Sequence, residues 1–322
     1  IINWSLADYS ENAIRANALG SFRQLLIATM QHPAMLSYLD NSRSTSQQPN
    51  ENYARELLEL HTLGVDAGYS QQDVETLALV LAGLSIQQKP STSPDLITSN
   101  NGFIYKPQRK SAKGKIFLGK TLTSNGLDGV YEAVDLIVAQ EQSARFITQR
   151  LARHFVGETV SSSLLDTLAD TFRATNGDLR AVMHVLFSAP EATRAPPRLK
   201  DPYRFVVSAM RLTLPMREAP DANTAKRSLR LIRAMGQSQF EHLTPDGYSL
   251  DNPAWAGSEA WMRRLDTASN IAGHSQTDVF SSAAYTTWLH PALSPVSAQM
   301  LQQAPEDEKL LLLLSSPEFN HY

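Results

Sequence analysis

The sequence predicts a mainly α protein, a multi-helix globular array with one small β-hairpin element near residues 103–122. Three observations carry that reading. Apolar side chains recur at three- and four-residue spacing through most of the chain. Ser, Asn and Asp stand repeatedly just ahead of those runs, where helix N-caps belong. Strand-like alternation is confined to residues 103–122, with Gly114 and Gly119 inside it.

The elements follow in order. Ala18, Leu19, Phe22, Leu25, Leu26 and Met30 form a core stripe within residues 8–30. His32-Pro33 interrupts it, and a short helix resumes over 34–39 before a polar loop. Asn50 caps the next helix, and Gly64 supplies its left-handed C-terminal cap. Ser70 and Asp73 are spaced as a capping box that opens a helix over 71–84. Residues 87–101, polar and carrying Pro90 and Pro94, read as a loop. Helices are expected at 130–139, 143–155, 164–173 and 179–188, the last two separated by Asn176-Gly177-Asp178. Further helices are expected at 203–214, 224–235 and 257–272, and in the tail that ends Ser316-Pro-Glu-Phe319.

The proline-rich stretch 195–202 is the strongest boundary, and 215–220 is a second break. The first divides a signature-bearing region with the basic hairpin, residues 1–195, from a C-terminal helical region, residues 196–322. Packing as one continuous domain is equally compatible with the sequence.

Composition excludes several classes of function. A net charge of -3 offers no global basis for nucleic-acid binding. With 0 cysteines there is no disulfide, thiolate metal site or cysteine nucleophile. No apolar run approaches the roughly 20 residues that span a bilayer. The start reads as no signal peptide, and Ile1 in place of methionine points to a processed or truncated chain.

One stretch concentrates chemistry: Pro49-Asn-Glu-Asn-Tyr-Ala-Arg-Glu-Leu-Leu-Glu-Leu-His-Thr-Leu-Gly64. At about 100° per residue, Glu51, Asn52, Arg55, Glu56 and Glu59 share one arc of a helix. Tyr53, Ala54, Leu57, Leu58, Leu60 and His61 occupy the opposite arc. Three readings stand side by side. The helix is amphipathic, with a solvated, ion-paired face and a core histidine. Or Glu51, Asn52, Arg55, Glu56, Glu59 and His61 form a polar hub that organises the fold. Or Glu56 and Glu59 are catalytic, as acid and base or as oxygen ligands of a divalent cation. Arg55, at i,i+4 spacing from both Glu51 and Glu59, neutralises the groups the third reading needs. No two-histidine zinc helix is present, so no metal site and no cofactor are assigned. The exit loop 66–75 reads as a turn and N-cap rather than a calcium loop.

A second cluster is basic. Lys106, Arg109, Lys110, Lys113, Lys115 and Lys120 fall within one stretch that contains no acid. They form an anion-binding edge for phosphate, sulfate or uronate groups of a polymer, or a solvated edge that discourages strand pairing. The eight histidines include no i,i+3 or i,i+4 pair, and neither a Gly-X-Ser-X-Gly elbow nor a Gly-rich phosphate loop occurs.

The signature stretch resembles that of the bacterial "domain of unknown function 1800" family. Other blocks are similar in order: Ala16-Asn-Ala-Leu-Gly-Ser-Phe-Arg-Gln-Leu-Leu26, His32-Pro-Ala-Met-Leu-Ser-Tyr-Leu-Asp40, Phe146-Ile-Thr-Gln-Arg-Leu-Ala-Arg-His-Phe-Val156 and Lys200-Asp-Pro-Tyr-Arg-Phe205. Pro245-Asp-Gly-Tyr248, Trp255, Arg264 and Ser316-Pro-Glu-Phe319 extend the resemblance to the end. The chain corresponds to the C-terminal part of a typical member. It departs where many members carry His-Asp ahead of Gly-X-Lys-X-X-Leu-Gly. Lys110-Ser111 stands there, with Lys115 and Leu118-Gly119 retained.

The resemblance implies an exported protein, periplasmic, secreted or on the cell surface. It implies a partner from the phosphatase- and sulfatase-like "domain of unknown function 1501" family. The expectation is a binding or assembly component of the cell envelope that contacts such a partner or an anionic polymer. The alternative is a metal-assisted or carboxylate-dependent hydrolase acting on an envelope or extracellular polymer.

Overall fold

In the computed structural model the described residues are 3–87, 97–98, 101–107, 112–214, 220–242, 244–275 and 277–322. Local capping chemistry sets most of the boundaries between elements. The side chains of Ser21, Asn50, Ser70, Ser161, Asp178 and Asp201 each accept a backbone N–H from the first turn of the helix that follows. Such a cap contributes about 1 kcal/mol. The chain divides into two compact units, Ile1–Arg194 and Ala195–Tyr322.

The first unit begins with α1 (Asn3–Asp8), a π-helical turn (Tyr9–Ile14) and a 3-10 turn (Arg15–Asn17). Then come α2 (Phe22–Met30), α3 (Pro33–Tyr38), α4 (Glu51–Glu59) and α5 (Gln71–Leu81). The stripe expected over residues 8–30 is therefore broken. Phe22, Leu26 and Met30 are buried along one face of α2, whereas Leu19 is 47% exposed. The break lies at Gly20-Ser21, where Ser21 caps a new helix and the Phe22 N–H is taken by the Gly177 carbonyl at 2.8 Å.

The β element is larger than the sequence suggested. β1 (Leu84–Ile86), β2 (Ile97–Thr98) and β3 (Phe103–Tyr105) form an antiparallel sheet in the order β1-β3-β2. β4 (Ile116–Phe117) and β5 (Lys120–Thr121) form a separate hairpin. The helix expected over 71–84 ends at Leu81, and residues 84–86 pair with β3 instead. Gly83 is the cause. The ring of Tyr105 lies where a side chain at Gly83 would stand, so the backbone there is free to pass close beneath it.

Four longer helices follow, α6 (Gly126–Val138), α7 (Glu141–Phe155), α8 (Ser162–Ala174) and α9 (Leu179–Ser188), with the short α10 (Pro190–Thr193). Asn176 and Gly177, at φ 53 and 79, turn the chain between α8 and α9 as expected. Tyr53, Leu57, Leu58, Leu77, Leu81, Leu84, Phe117 and Phe172 are among the fully buried side chains of this unit.

The second unit contains α11 (Pro202–Thr213), α12 (Ala222–Ala234), α13 (Ser258–Ala272), α14 (Pro295–Gln303), α15 (Glu306–Ser315) and α16 (Pro317–Asn320). Its core gathers Phe205, Val206, Ala209, Ile232, Ala268, Ile271, Leu313, Leu314 and Phe319. Residues 198–200, part of the proline-rich stretch, belong to this packing. Leu199 bridges to His321, and the Arg198 and Tyr322 backbones exchange two hydrogen bonds of 3.0 Å.

Candidate functional site

The signature helix α4 forms where its sequence dictates. Asn50 Oδ1 accepts the Tyr53 N–H at 3.1 Å, while its Nδ2 donates to the Leu39 carbonyl. At the other end Gly64, at φ 93, donates its N–H to the Leu58 carbonyl at 3.1 Å. A side chain there would meet the Phe146 ring at 3.0 Å, so both backbone and space require glycine. Tyr53, Ala54, Leu57 and Leu58 are buried, on the arc assigned to them.

The polar arc is half-buried rather than enclosed, and its partners come from the exit loop and α5. Arg55 stands 3.7 Å from Glu59. Its Nη2 donates to Gln71 Oε1 at 2.6 Å, and Gln71 Nε2 donates to Glu51 Oε2 at 2.9 Å. Gln71 thus mediates between Glu51 and Arg55. The Tyr69 hydroxyl hydrogen-bonds Glu59; burial first, and then that carboxylate, push the phenol up to about 12. Gln71 and Tyr69 escaped the sequence reading because they lie across a loop, where no helical spacing points to them.

Asn52 is exposed and takes no place in these contacts. Glu56 contributes its carbonyl, which accepts His61 Nδ1–H at 2.9 Å. Burial, with a smaller contribution from Arg150, outweighs the hydrogen bond to Glu56 and holds the His61 imidazole below its ordinary value. The fold therefore brings Glu51, Arg55 and Glu59 into one network and attaches His61 to the end of the helix. Among the described residues, no three His, Asp or Glu side chains form a group that could hold a metal ion.

A carboxylate ties this region to the basic hairpin. Asp73 completes a capping box with Ser70, accepting both the Ser70 N–H (2.8 Å) and hydroxyl (2.7 Å) through Oδ2. Its Oδ1 accepts the Leu118 N–H at 2.7 Å. Burial raises the Asp73 carboxyl, but these hydrogen bonds outweigh it and leave the group below its ordinary value. Leu118 and Gly119 form the two-residue tip, at φ 46 and 75. A tight hairpin turn needs both residues at positive φ, which glycine adopts freely and leucine does not. Lys120 is exposed beside this tip, Lys113 and Lys115 are exposed at the other end of the hairpin, and Lys106 is half-buried. Arg109 and Lys110 lie outside the described residues.

The family description "Protein of unknown function (DUF1800)" matches residues 1–321. The chain belongs to the DUF1800 family. No curated protein and no solved structure matches it.

This DUF1800 chain holds a further polar cluster that the sequence did not suggest. His32, read only as a break, is buried and N-caps α3 through Nδ1, which accepts the Ala34 N–H at 3.1 Å. That places its proton on Nε2, which donates to Asp8 Oδ2 at 2.8 Å. The hydrogen bond from Asn12, and then the one from His32, hold the Asp8 carboxyl below its ordinary value. Tyr9 lies against the imidazole with ring centroids 5.0 Å apart. Tyr53 is fully buried near Tyr9, its hydroxyl without a hydrogen-bond partner among the described residues. Both His32 nitrogens are engaged, so the Asp8–His32 pair fastens α1 to α3. No sequence spacing joins residues 8, 32 and 53; only the π-helical turn after Asp8 and the packing of α4 bring them together.

Proposed function

We propose that this DUF1800 chain is a non-catalytic binding and assembly component, which engages an anionic polymer through the hairpin at residues 113–121. The observation that carries this reading is the basic hairpin itself. Lys120 adjoins a turn that Asp73 holds in place, and Lys113 and Lys115 are exposed at the other end of the same short hairpin, so cationic groups are presented on a fixed scaffold. Preorganised cations of one sign attract sulfate, phosphate or uronate groups with little ordering cost.

The signature network supports binding over hydrolysis. A base or metal ligand must have lone pairs available, and Glu59 is already engaged by Arg55 and Tyr69. We assign to Glu51, Arg55, Glu59 and Gln71 the role of fastening α4 to α5, which carries Asp73. Export to the cell envelope and a partner of the "domain of unknown function 1501" family belong to the same proposal, and rest on the family resemblance alone.

The test is retention on a dextran sulfate matrix along a salt gradient. The triple variant Lys113→Glu/Lys115→Glu/Lys120→Glu should elute at clearly lower salt than the parent chain, with an unchanged melting temperature. Equal retention of the two proteins would remove the hairpin as the contact edge. Loss of a polymer-cleaving activity in Glu59→Gln, with folding intact, would instead favour the hydrolase.

A further inference from the structure

The second unit contains a feature that the hairpin does not account for. A cavity of about 910 Å³ opens between α11, α12, the π-helical turn Tyr285–Leu289 and α16. Its size is that of a small-molecule site, which typically occupies about 300–1,000 Å³. Most of the wall is apolar, including Val207, Met210, Leu229, Ile232 and Phe319. Among the described residues, the charged side chains in the lining are Lys200 and Arg211, both cationic.

Lys200 is only 8% exposed. Its ammonium donates one hydrogen bond, to the Phe319 carbonyl at 2.6 Å, and stands 4.2 Å above the Phe319 ring. An ammonium carries three donors, so two have no acceptor among the described residues. The neighbouring Arg264 is 2% exposed and donates to the Lys200 carbonyl and to Asn320 Oδ1. Its Nε has no hydrogen-bond partner. Among the described residues, neither cation has a carboxylate within ion-pairing distance; Asp201, paired with Arg204, favours the Arg264 charge from farther away. Burial lowers both, Lys200 to about 8 and Arg264 to about 10. Lys200, beside the Arg264 charge and with no carboxylate of its own among the described residues, leaves an excess of positive charge at the wall of an apolar cavity, and such burial is costly.

We propose that this cavity binds a chain-like monocarboxylate of the fatty-acid class, with its carboxylate on Lys200 and its hydrocarbon along the apolar wall. Charge complementarity selects an anion, and the lining selects a long apolar body in place of a sugar or nucleotide. Trp288 belongs to the lining and is 76% exposed, which leaves a large aromatic surface open to an apolar ligand.

The experiment is calorimetric titration of the full chain with dodecanoate at pH 7, with uncharged dodecanol as the comparison. Saturable 1:1 binding of dodecanoate, much stronger than that of dodecanol, is expected. Lys200→Met keeps the stem and removes the charge. It should weaken dodecanoate by about tenfold or more, the worth of one charge-assisted hydrogen bond, and leave dodecanol unchanged. Ser228→Trp, which fills the cavity from α12, should abolish both. Should Lys200→Met not fold, the parent chain carries the test alone. Its affinity for dodecanoate should fall from pH 7 to pH 9 as Lys200 loses its proton, with Arg211 and Arg264 still charged. Absence of saturable binding, equal affinity for acid and alcohol, or a flat pH profile would each overturn the proposal.

Discussion

Asp73 and Leu118 are joined by a single hydrogen bond of 2.7 Å, from the leucine N–H to Oδ1, across 45 residues of sequence. The same carboxylate caps α5, so one side chain starts a helix and holds a hairpin turn whose leucine has positive φ. Asp73→Ala removes the cap and leaves a backbone N–H without its partner. The expected loss is about 1–3 kcal/mol of unfolding free energy, measured by urea denaturation. Because the folded carboxyl lies below its ordinary value, its contribution is present at neutral pH and is lost as pH falls through the folded value. Asp73→Asn should therefore flatten the acid side of the stability profile, and an unchanged acid limb would show that the bond contributes nothing.

Gly83→Ala tests the close approach that ends α5. The added methyl meets the buried Tyr105 ring, and Lys106 donates its N–H to the Gly83 carbonyl at 2.9 Å, so neither side moves freely. Overpacking of this kind costs about 1–3 kcal/mol. Shortening the ring in Gly83→Ala/Tyr105→Leu should recover part of the loss, and thermal melts of the two variants decide whether it does.

Tyr53→Phe removes a buried hydroxyl that has no partner. Deleting an unsatisfied polar atom without altering shape is neutral or stabilising, so the melting temperature should hold or rise. A fall of more than about 1 kcal/mol would mean that the hydroxyl is engaged in the native protein.

Lys200 makes a prediction about alkaline pH that needs no ligand. The unfolded chain keeps this proton up to an ordinary value of 10.5, whereas the folded chain releases it at about 8. Between those values the unfolded state binds more protons, so stability rises with pH. The rise should appear between pH 8 and 10 and be absent in Lys200→Met, followed by denaturant melts at each pH. Above that range Tyr9 and Tyr69, both pushed up to about 12 chiefly by burial, act in the opposite sense.

What the sequence made legible was what is local. Asn50, Ser70 with Asp73, Asn176-Gly177-Asp178 and Gly64 each act within a few residues, and each stands in the role that its spacing indicated. β1 was not legible, because residues 84–86 become a strand only through pairing with residues 103–105 and the Tyr105 ring over Gly83. The polar arc of α4 could be drawn on a wheel, yet its partners Tyr69 and Gln71 could not. A wheel shows which groups share a face and is silent about what crosses to it. The same limit hid Asp8 beside His32, and Lys200 beside Phe319, which are 119 residues apart.

The bridge between Leu199 and His321 bears on how the molecule is made. It joins the opening of the second unit to its last residues, and Lys200 reaches its carbonyl partner at Phe319 only when both ends are present. During synthesis, that unit cannot acquire its finished core until residue 322 has left the ribosome. Until then Phe319 is missing from the cluster it completes, and the lysine that would hold the carboxylate remains in water. The lysine wall of the apolar cavity is thus made by both ends of the second unit at once, and the loss of either end would remove it.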